Sequence, residues 1–247
     1  MPRLDQLLAR NLGRSRREVT ILLRSGAVEN RHGERLRNGK TLIELDDLPM
    51  ELVVRGALLR LREHAHVMLH KPVGVVTSHS DPHLPTAWAL LDDAPMHQLL
   101  RAVGRLDLDA AGLLLWTTDT PKVHALTHPK RAVPREYQVA LARSYTEPER
   151  DHEDNIALTL ADGSHPRIVE LTPLAETERH PALLTPEGTQ TLARVILLDG
   201  AYHEVKRIFA ALGSHVLCLA RVAHAGFRLP EELGPGQWLE LDSLEPQ

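Results

Sequence analysis

The chain is poor in the residues that carry disulfide, metal-cluster or membrane chemistry. It holds a single cysteine, Cys218, among 247 residues, so no internal disulfide can form and no cysteine-rich zinc motif can be built. No apolar run approaches the length of a membrane span, and the opening Met1-Pro2-Arg3-Leu4-Asp5 lacks the apolar core of a signal peptide. No membrane association and residence in the cytoplasm are the expectations. Aromatic residues make up only 3%, so each Trp, Tyr or Phe carries more weight than usual. Neither a nucleotide-binding motif nor an internal repeat is present.

What is there is an ordinary globular composition, 43% apolar and 25% charged, long enough for one large domain or a small plus a medium one. The net charge of -4 argues against a nucleic-acid partner until it is divided along the chain. Residues 1–62 carry 13 Lys and Arg against 8 Asp and Glu, while the remainder carries 16 against 25. A basic module joined to an acidic body concentrates any RNA affinity in the first quarter.

That first quarter begins with Leu4, Leu7, Leu8 and Leu12 at helical spacing, broken by Gly13. Ser15 followed by Glu18 fits a capping box, opening a second helix with Val19, Leu22 and Leu23 on its apolar side and Gly26 at its end. Short strand-like pieces follow at 27–28 and 41–43. Arg10, Arg14, Arg16, Arg17 and Arg24 cluster around the two helices. Such a cluster in isolation reads as a solvated face, but the excess of Arg over Lys suits phosphate recognition. The segment resembles the S4 RNA-binding domain in Arg3-Leu4-Asp5-Gln6-Leu7-Leu8, Ser15-Arg16-Arg17-Glu18 and Arg24-Ser25-Gly26-Ala27-Val28. This gives domains at 1–60 and 66–247, joined by a linker at 61–65.

Beyond the linker, strands and helices alternate. Strands are expected at 66–70, 112–118, 135–143, 193–198 and 215–221, and helices at 85–92, 121–127, 146–154 and 203–212. The stretch 161–191 reads as loops and short strands. The pattern predicts an α+β body with a mixed, mainly antiparallel sheet and flanking helices.

Four pieces of this body carry candidate chemistry. His70-Lys71-Pro72-Val73-Gly74 is a strand end entering a turn. Gly104-Arg105-Leu106-Asp107-Leu108-Asp109-Ala110-Ala111-Gly112 is a polar loop feeding the apolar strand Leu113-Leu114-Leu115, a good platform for a reactive group. Its two aspartates, taken alone, read as turn residues, a metal pair, or a general acid and base. Arg135 and Tyr137 share one face of an alternating strand. Finally, Tyr202-His203-Glu204-Val205-Lys206-Arg207 opens a helix with Val205, Ile208, Phe209 and Leu212 on its apolar side.

Together with Leu233-Gly234-Pro235-Gly236-Gln237-Trp238, these pieces resemble the pseudouridine synthase family, in the branch that carries an N-terminal S4 domain. Tyr202-His203-Glu204-Val205-Lys206-Arg207 and Ser80-Asp81-Pro82-His83-Leu84-Pro85-Thr86 are similar to the small-subunit (16S) ribosomal RNA enzymes. The resemblance implies isomerisation of a specific uridine, of the uridine-516 type, without cofactor or metal; nothing in the sequence demands a dimer, and a monomer is the expectation. Its partner would be small-subunit ribosomal RNA, naked or in an assembly particle. It makes Asp107 the catalytic carboxylate, Lys206 its ion-pair partner, and Tyr137 the group stacked under the extracted base. Arg105 would fill the space that base vacates, with Arg207 and Lys71 as further RNA contacts; Asp109 is left as a loop residue. The chain departs from the family pattern at Ala110 and Ala111, where Thr or Ser is usual, and at Arg135, where Lys is usual.

Three other readings compete. A large-subunit target is one, although such relatives more often show Asn-Arg and a double Arg in the helix motif. An S4-type assembly factor without catalysis would explain the N-terminal segment, but gives no reason for Asp107, Tyr137 and Lys206. A metal-dependent nuclease would use Asp107 and Asp109, yet His64, His66 and His70 span a linker and a strand rather than one ligand-spaced helix.

Overall fold

The computed structural model describes residues 1–151 and 155–245 and divides into two compact units. The first comprises residues 1–65 with 93–100 and 117–119; the second holds the rest.

In the first unit, helices α1 (Leu4–Leu12) and α2 (Arg16–Ser25) precede a three-stranded antiparallel sheet of β1 (Val28–Asn30), β2 (Met50–Val54) and β3 (Ala57–Leu61). The capping box forms as the sequence predicts. Ser15 Oγ accepts from the Glu18 amide at 3.3 Å, and Glu18 Oε2 accepts from the Ser15 amide at 2.9 Å. Leu4, Leu7, Leu8, Val19, Leu22 and Leu23 bury their side chains against Val28, Leu52 and Leu61. Each such burial stabilises the unit by about 1.5–3 kcal/mol. Residues 41–43 form an isolated bridge, Arg3 with Leu42, rather than a strand. The stretch expected as a linker is not loose, since Leu61 and Ala65 are buried and the Ala65 amide donates to Thr118 Oγ1 at 3.0 Å.

The second unit is built on β4 (His66–Lys71), β5 (Arg101–Ala102), β6 (Ala110–Thr117), α3 (Thr120–Thr127), β7 (Arg135–Leu141), β8 (Glu149–Arg150), β9 (Ile156–Ala157), β10 (Ile168–Pro173), β11 (Thr191–Leu197), α4 (Glu204–Ala211), β12 (Val216–His224), β13 (Phe227–Arg228) and β14 (Trp238–Leu241). Its main sheet runs β10-β11-β7-β12-β6-β4-β14, with β13 on β12 and β5 on β6. The β12–β6 pair is parallel, whereas β10–β11, β11–β7, β7–β12 and β14–β4 are antiparallel. The fold is thus α+β with a mixed sheet. Every residue of β6 and β7 is buried; β6 reads as a continuous, mostly apolar run, whereas β7 buries Arg135, Glu136 and Gln138 beside its apolar residues.

Two helix expectations fail. Residues 85–92 hold only a 3₁₀ turn at Ala89–Leu91, after a bridge from Thr86 to Val76. The expected helix 146–154 is replaced by β8, a two-residue strand paired with β9; its residues 152–154 lie outside the described ones. Both stretches lack a cap residue backed by a continuous apolar face, and local propensity yields to pairing partners elsewhere in the chain.

Candidate active site

The Gly104–Asp109 loop is held from four directions. Arg221 Nη1 donates to the Arg105 carbonyl at 3.4 Å. Thr77 Oγ1 donates to the Leu106 carbonyl at 2.9 Å and accepts from the Leu106 amide at 3.1 Å. The Gly74 amide donates to the Leu108 carbonyl at 2.8 Å, and Lys71 Nζ donates to the Ala110 carbonyl at 2.8 Å. A polar loop with its backbone groups so engaged presents Asp107 in one geometry, the condition for preorganised chemistry.

Sheet register explains how Arg221 reaches this loop. In the parallel β6–β12 pair, Gly112 lies opposite Arg221, and a Cβ on Gly112 would sit 2.2 Å from the Arg221 carbonyl oxygen. With φ at +109° as well, the position accepts only glycine. On its other side Arg221 pairs with Tyr137 of β7. The Arg221 side chain is 1% exposed and donates through Nε to the Leu113 carbonyl at 2.8 Å. Burial lowers its pKa, opposed by the Tyr137 oxygen beside it. Sequence reasoning missed this residue. Its signal was a lone arginine inside the apolar run Leu217–Val222, where a charge is rarely buried unless it is partnered.

The loop, β7 and the start of α4 enclose a cavity of about 730 Å³, lined among others by Arg105, Asp107, Tyr137, His203, Lys206 and Arg221. The Asp107 Oδ2 atom lies 3.6 Å from His203 Nε2 and 3.7 Å from Lys206 Nζ. Arg105 is exposed at the cavity wall, and Tyr137 is buried in it. Arg135, also at the wall, is buried and donates through Nη1 to the carbonyls of Val133 and Asp199 at 3.1 and 2.9 Å. It braces the turn ahead of α4. Glu204 is buried too and accepts from the Ala201 amide at 3.2 Å; burial, then the nearby Asp199, raises its pKa.

Three expectations about individual residues change. Lys206 lies within ion-pair distance of Asp107, as expected, but makes its shorter hydrogen bonds to Asp109, at 2.6 and 2.7 Å to the two carboxylate oxygens. Asp109 is therefore part of the charge cluster and not a bystander on the loop; burial pushes its pKa up, but Lys206 outweighs that and leaves it lowered. Lys71, expected as an RNA contact, is 0% exposed, its ammonium turned inward to the Pro72 and Ala110 carbonyls and away from solvent. Arg207 is engaged by Asp162 and by Ser164 Oγ, the latter at 3.1 Å, instead of lying open to a phosphate.

In the first unit, Arg14, Arg16, Arg17 and Arg24 are exposed and Arg10 is half-buried. Arg16 also bonds the buried Asp5 at 3.0 Å, as Arg3 does at 2.8 Å. Burial alone would raise the Asp5 pKa, yet the two guanidiniums hold it below the usual carboxylate value. Among the described residues, no three His, Cys, Asp or Glu side chains gather as a metal-binding group, and no helix is long and apolar enough to cross a membrane.

This arrangement has counterparts. The family profile of RNA pseudouridylate synthase matches residues 65–211, the span that contains the loop, Tyr137 and Lys206. The chain belongs to the RNA pseudouridylate synthase family. It is 34% identical over 98% of its length to a ribosomal small subunit pseudouridine synthase A of Escherichia coli (strain K12), covering 97% of that protein. It is 31% identical, over 98% of its length and 94% of the other, to an uncharacterized RNA pseudouridine synthase of Aquifex aeolicus. A crystal structure of a pseudouridylate synthase, 29% identical, superposes with a TM-score of 0.56 over 98% of this chain and 96% of that one. This synthase is accordingly an isomerase.

Proposed function

We propose that this synthase converts one uridine of small-subunit ribosomal RNA to pseudouridine, with Asp107 as its ionised carboxylate. The observation that carries the reading is the Asp107 carboxylate at the wall of a cavity of about 730 Å³, large enough to admit a nucleotide, on a loop pinned at four backbone positions and flanked by Lys206 and Tyr137. Its relatives' names supply the substrate class, and a uridine of the 516 type is the finer target.

The reaction breaks the N1–C1′ bond, turns the base, and joins C5 to C1′. C5 loses its proton and N1 gains one, so atoms and charge balance without redox or hydrolysis. The negative charge of the carboxylate calls for an opposite charge nearby. Lys206 supplies that charge, 3.7 Å away, and Asp109 keeps its ammonium in place. Tyr137 stacks under the extracted base and assists removal of the C5 proton, which passes to solvent. Extracting the base costs a few kcal/mol of stacking, which Arg105 offsets by filling the space left behind. No metal or cofactor enters any step.

The N-terminal unit acts as an S4-type RNA-binding domain, its exposed Arg14, Arg16, Arg17 and Arg24 meeting phosphates. The active species is a cytoplasmic monomer on ribosomal RNA. Asp107→Asn keeps the shape of the site and removes the charge. Pseudouridine mapping on a small-subunit rRNA transcript should show no product with this variant, and a gel-shift assay should show RNA binding within about twofold of the parent. Near-normal pseudouridine formation by Asp107→Asn would sink the assignment.

A further inference from the structure

Only eight residues of the chain are Trp, Tyr or Phe, and one of them, Tyr202, is 76% exposed. No other large apolar side chain among the described residues is as exposed. Its surroundings are ordered rather than loose. The Tyr202 ring stacks on the His203 imidazole with centroids 3.8 Å apart and planes 19° from parallel. His203 itself adopts a left-handed φ of +51°, a conformation that costs a non-glycine residue free energy and that directs its ring toward the site. Nε2 of this histidine is the atom 3.6 Å from Asp107. Both rings line the cavity.

The stack therefore has one end at the catalytic carboxylate and the other in solvent. His203 covers one face of Tyr202, and the opposite face has the size and flatness of a nucleobase. Arg105 is exposed on the same cavity wall, so the open face of Tyr202 and the arginine assigned to the vacated space border one cavity. An open aromatic face accepts any unpaired base, because every base has a π face to stack on it.

We infer that the Tyr202–His203 stack is a second base-binding site, which holds an unpaired nucleotide flanking the target uridine while that uridine occupies the cavity. The inference rests on the proposed RNA substrate, and it makes Tyr202 a binding residue rather than a catalytic one. It also assigns His203 two tasks, backing the tyrosine and facing Asp107. The site thereby selects uridines with an unstacked neighbour, as found in loops and bulges.

Two measurements test it. In the first, tritium release from 5-tritiated uridine in a small-subunit rRNA transcript follows turnover of Tyr202→Ala, Tyr202→Leu and Tyr202→Trp. The alanine and leucine variants should raise KM by about tenfold with little change in kcat, and tryptophan should restore it. Equal KM for Tyr202→Leu and the parent would refute stacking, since leucine keeps apolar bulk without a π face. In the second, 2-aminopurine is placed in turn at each position flanking the target uridine of an rRNA hairpin. Fluorescence should be quenched at one position on binding, and Tyr202→Ala should abolish the quenching. Persistence of the quenching in Tyr202→Ala overturns the inference. The fluorescence readout needs binding alone, so an active Asp107→Asn would defeat the catalytic reading without altering it.

Discussion

Replacing Lys71 with methionine removes an ammonium that has no solvent exposure, while keeping most of its volume. Burial drives the Lys71 pKa from 10.5 to about 8; Asp107 and then Asp109 pull it up, and Arg221 pushes it down. The folded-state pKa lies below the unfolded one, so between about pH 8 and about pH 10.5 the unfolded chain holds a proton that the native protein has released. Stability contributed by Lys71 thus rises with pH across that window. Each unit of pH well inside it changes the balance by about 1.4 kcal/mol, and the gain from about pH 7.5 to about pH 10 is about 2 kcal/mol. The neutral amine still donates to the Pro72 and Ala110 carbonyls, whereas methionine leaves both without a donor. Urea unfolding of the parent and of Lys71→Met at these two pH values gives the difference directly, and other titrating groups cancel between the proteins. The parent should gain about 2 kcal/mol over the variant as pH rises. A difference that is flat, or that falls with pH, refutes the burial of a strained ammonium at this position.

Other changes separate the roles of the site's residues. Lys206→Met should lower kcat on the order of a hundredfold, while Asp109→Asn, which leaves the ammonium beside Asp107, should cost less than about tenfold; equal losses in single-turnover assays would show that the two act only as a pair. Gly112→Ala drives a Cβ into the Arg221 backbone and should destabilise the fold by about 3 kcal/mol or more, seen as a fall in Tm with activity lost in parallel. Replacing Arg14 and Arg17 together with alanine should weaken RNA binding at every sequence. The slope of log affinity against log salt should flatten by about 1.5, and an unchanged slope would remove the N-terminal unit from the RNA interface.

Much of this protein was legible without its tertiary structure. The leucine spacing, Ser15–Glu18 and the two closing glycines define α1 and α2, because helix period and capping depend on neighbours within four residues. The order of motifs likewise marked out Asp107, Tyr137 and Lys206, which the fold brings to one cavity. A flat two-residue strand such as β8 was not legible, because its partner β9 and not its own sequence makes it a strand.

What only the tertiary structure decided concerns partners distant in sequence. Lys206 meets Asp109 across 97 positions, and no local pattern distinguishes that carboxylate from Asp107 two residues earlier. Arg221 reaches the Gly104–Asp109 loop through strand register, which depends on Gly112 allowing the two backbones to close. Lys71 reads as a surface base at a turn, yet lies beneath the loop with its charge turned inward. Residue type and spacing singled out a carboxylate, a tyrosine and a lysine that the fold gathers at one cavity. Which charge faces which, and which are closed off from RNA, follows from burial and register, and those are properties of the folded chain.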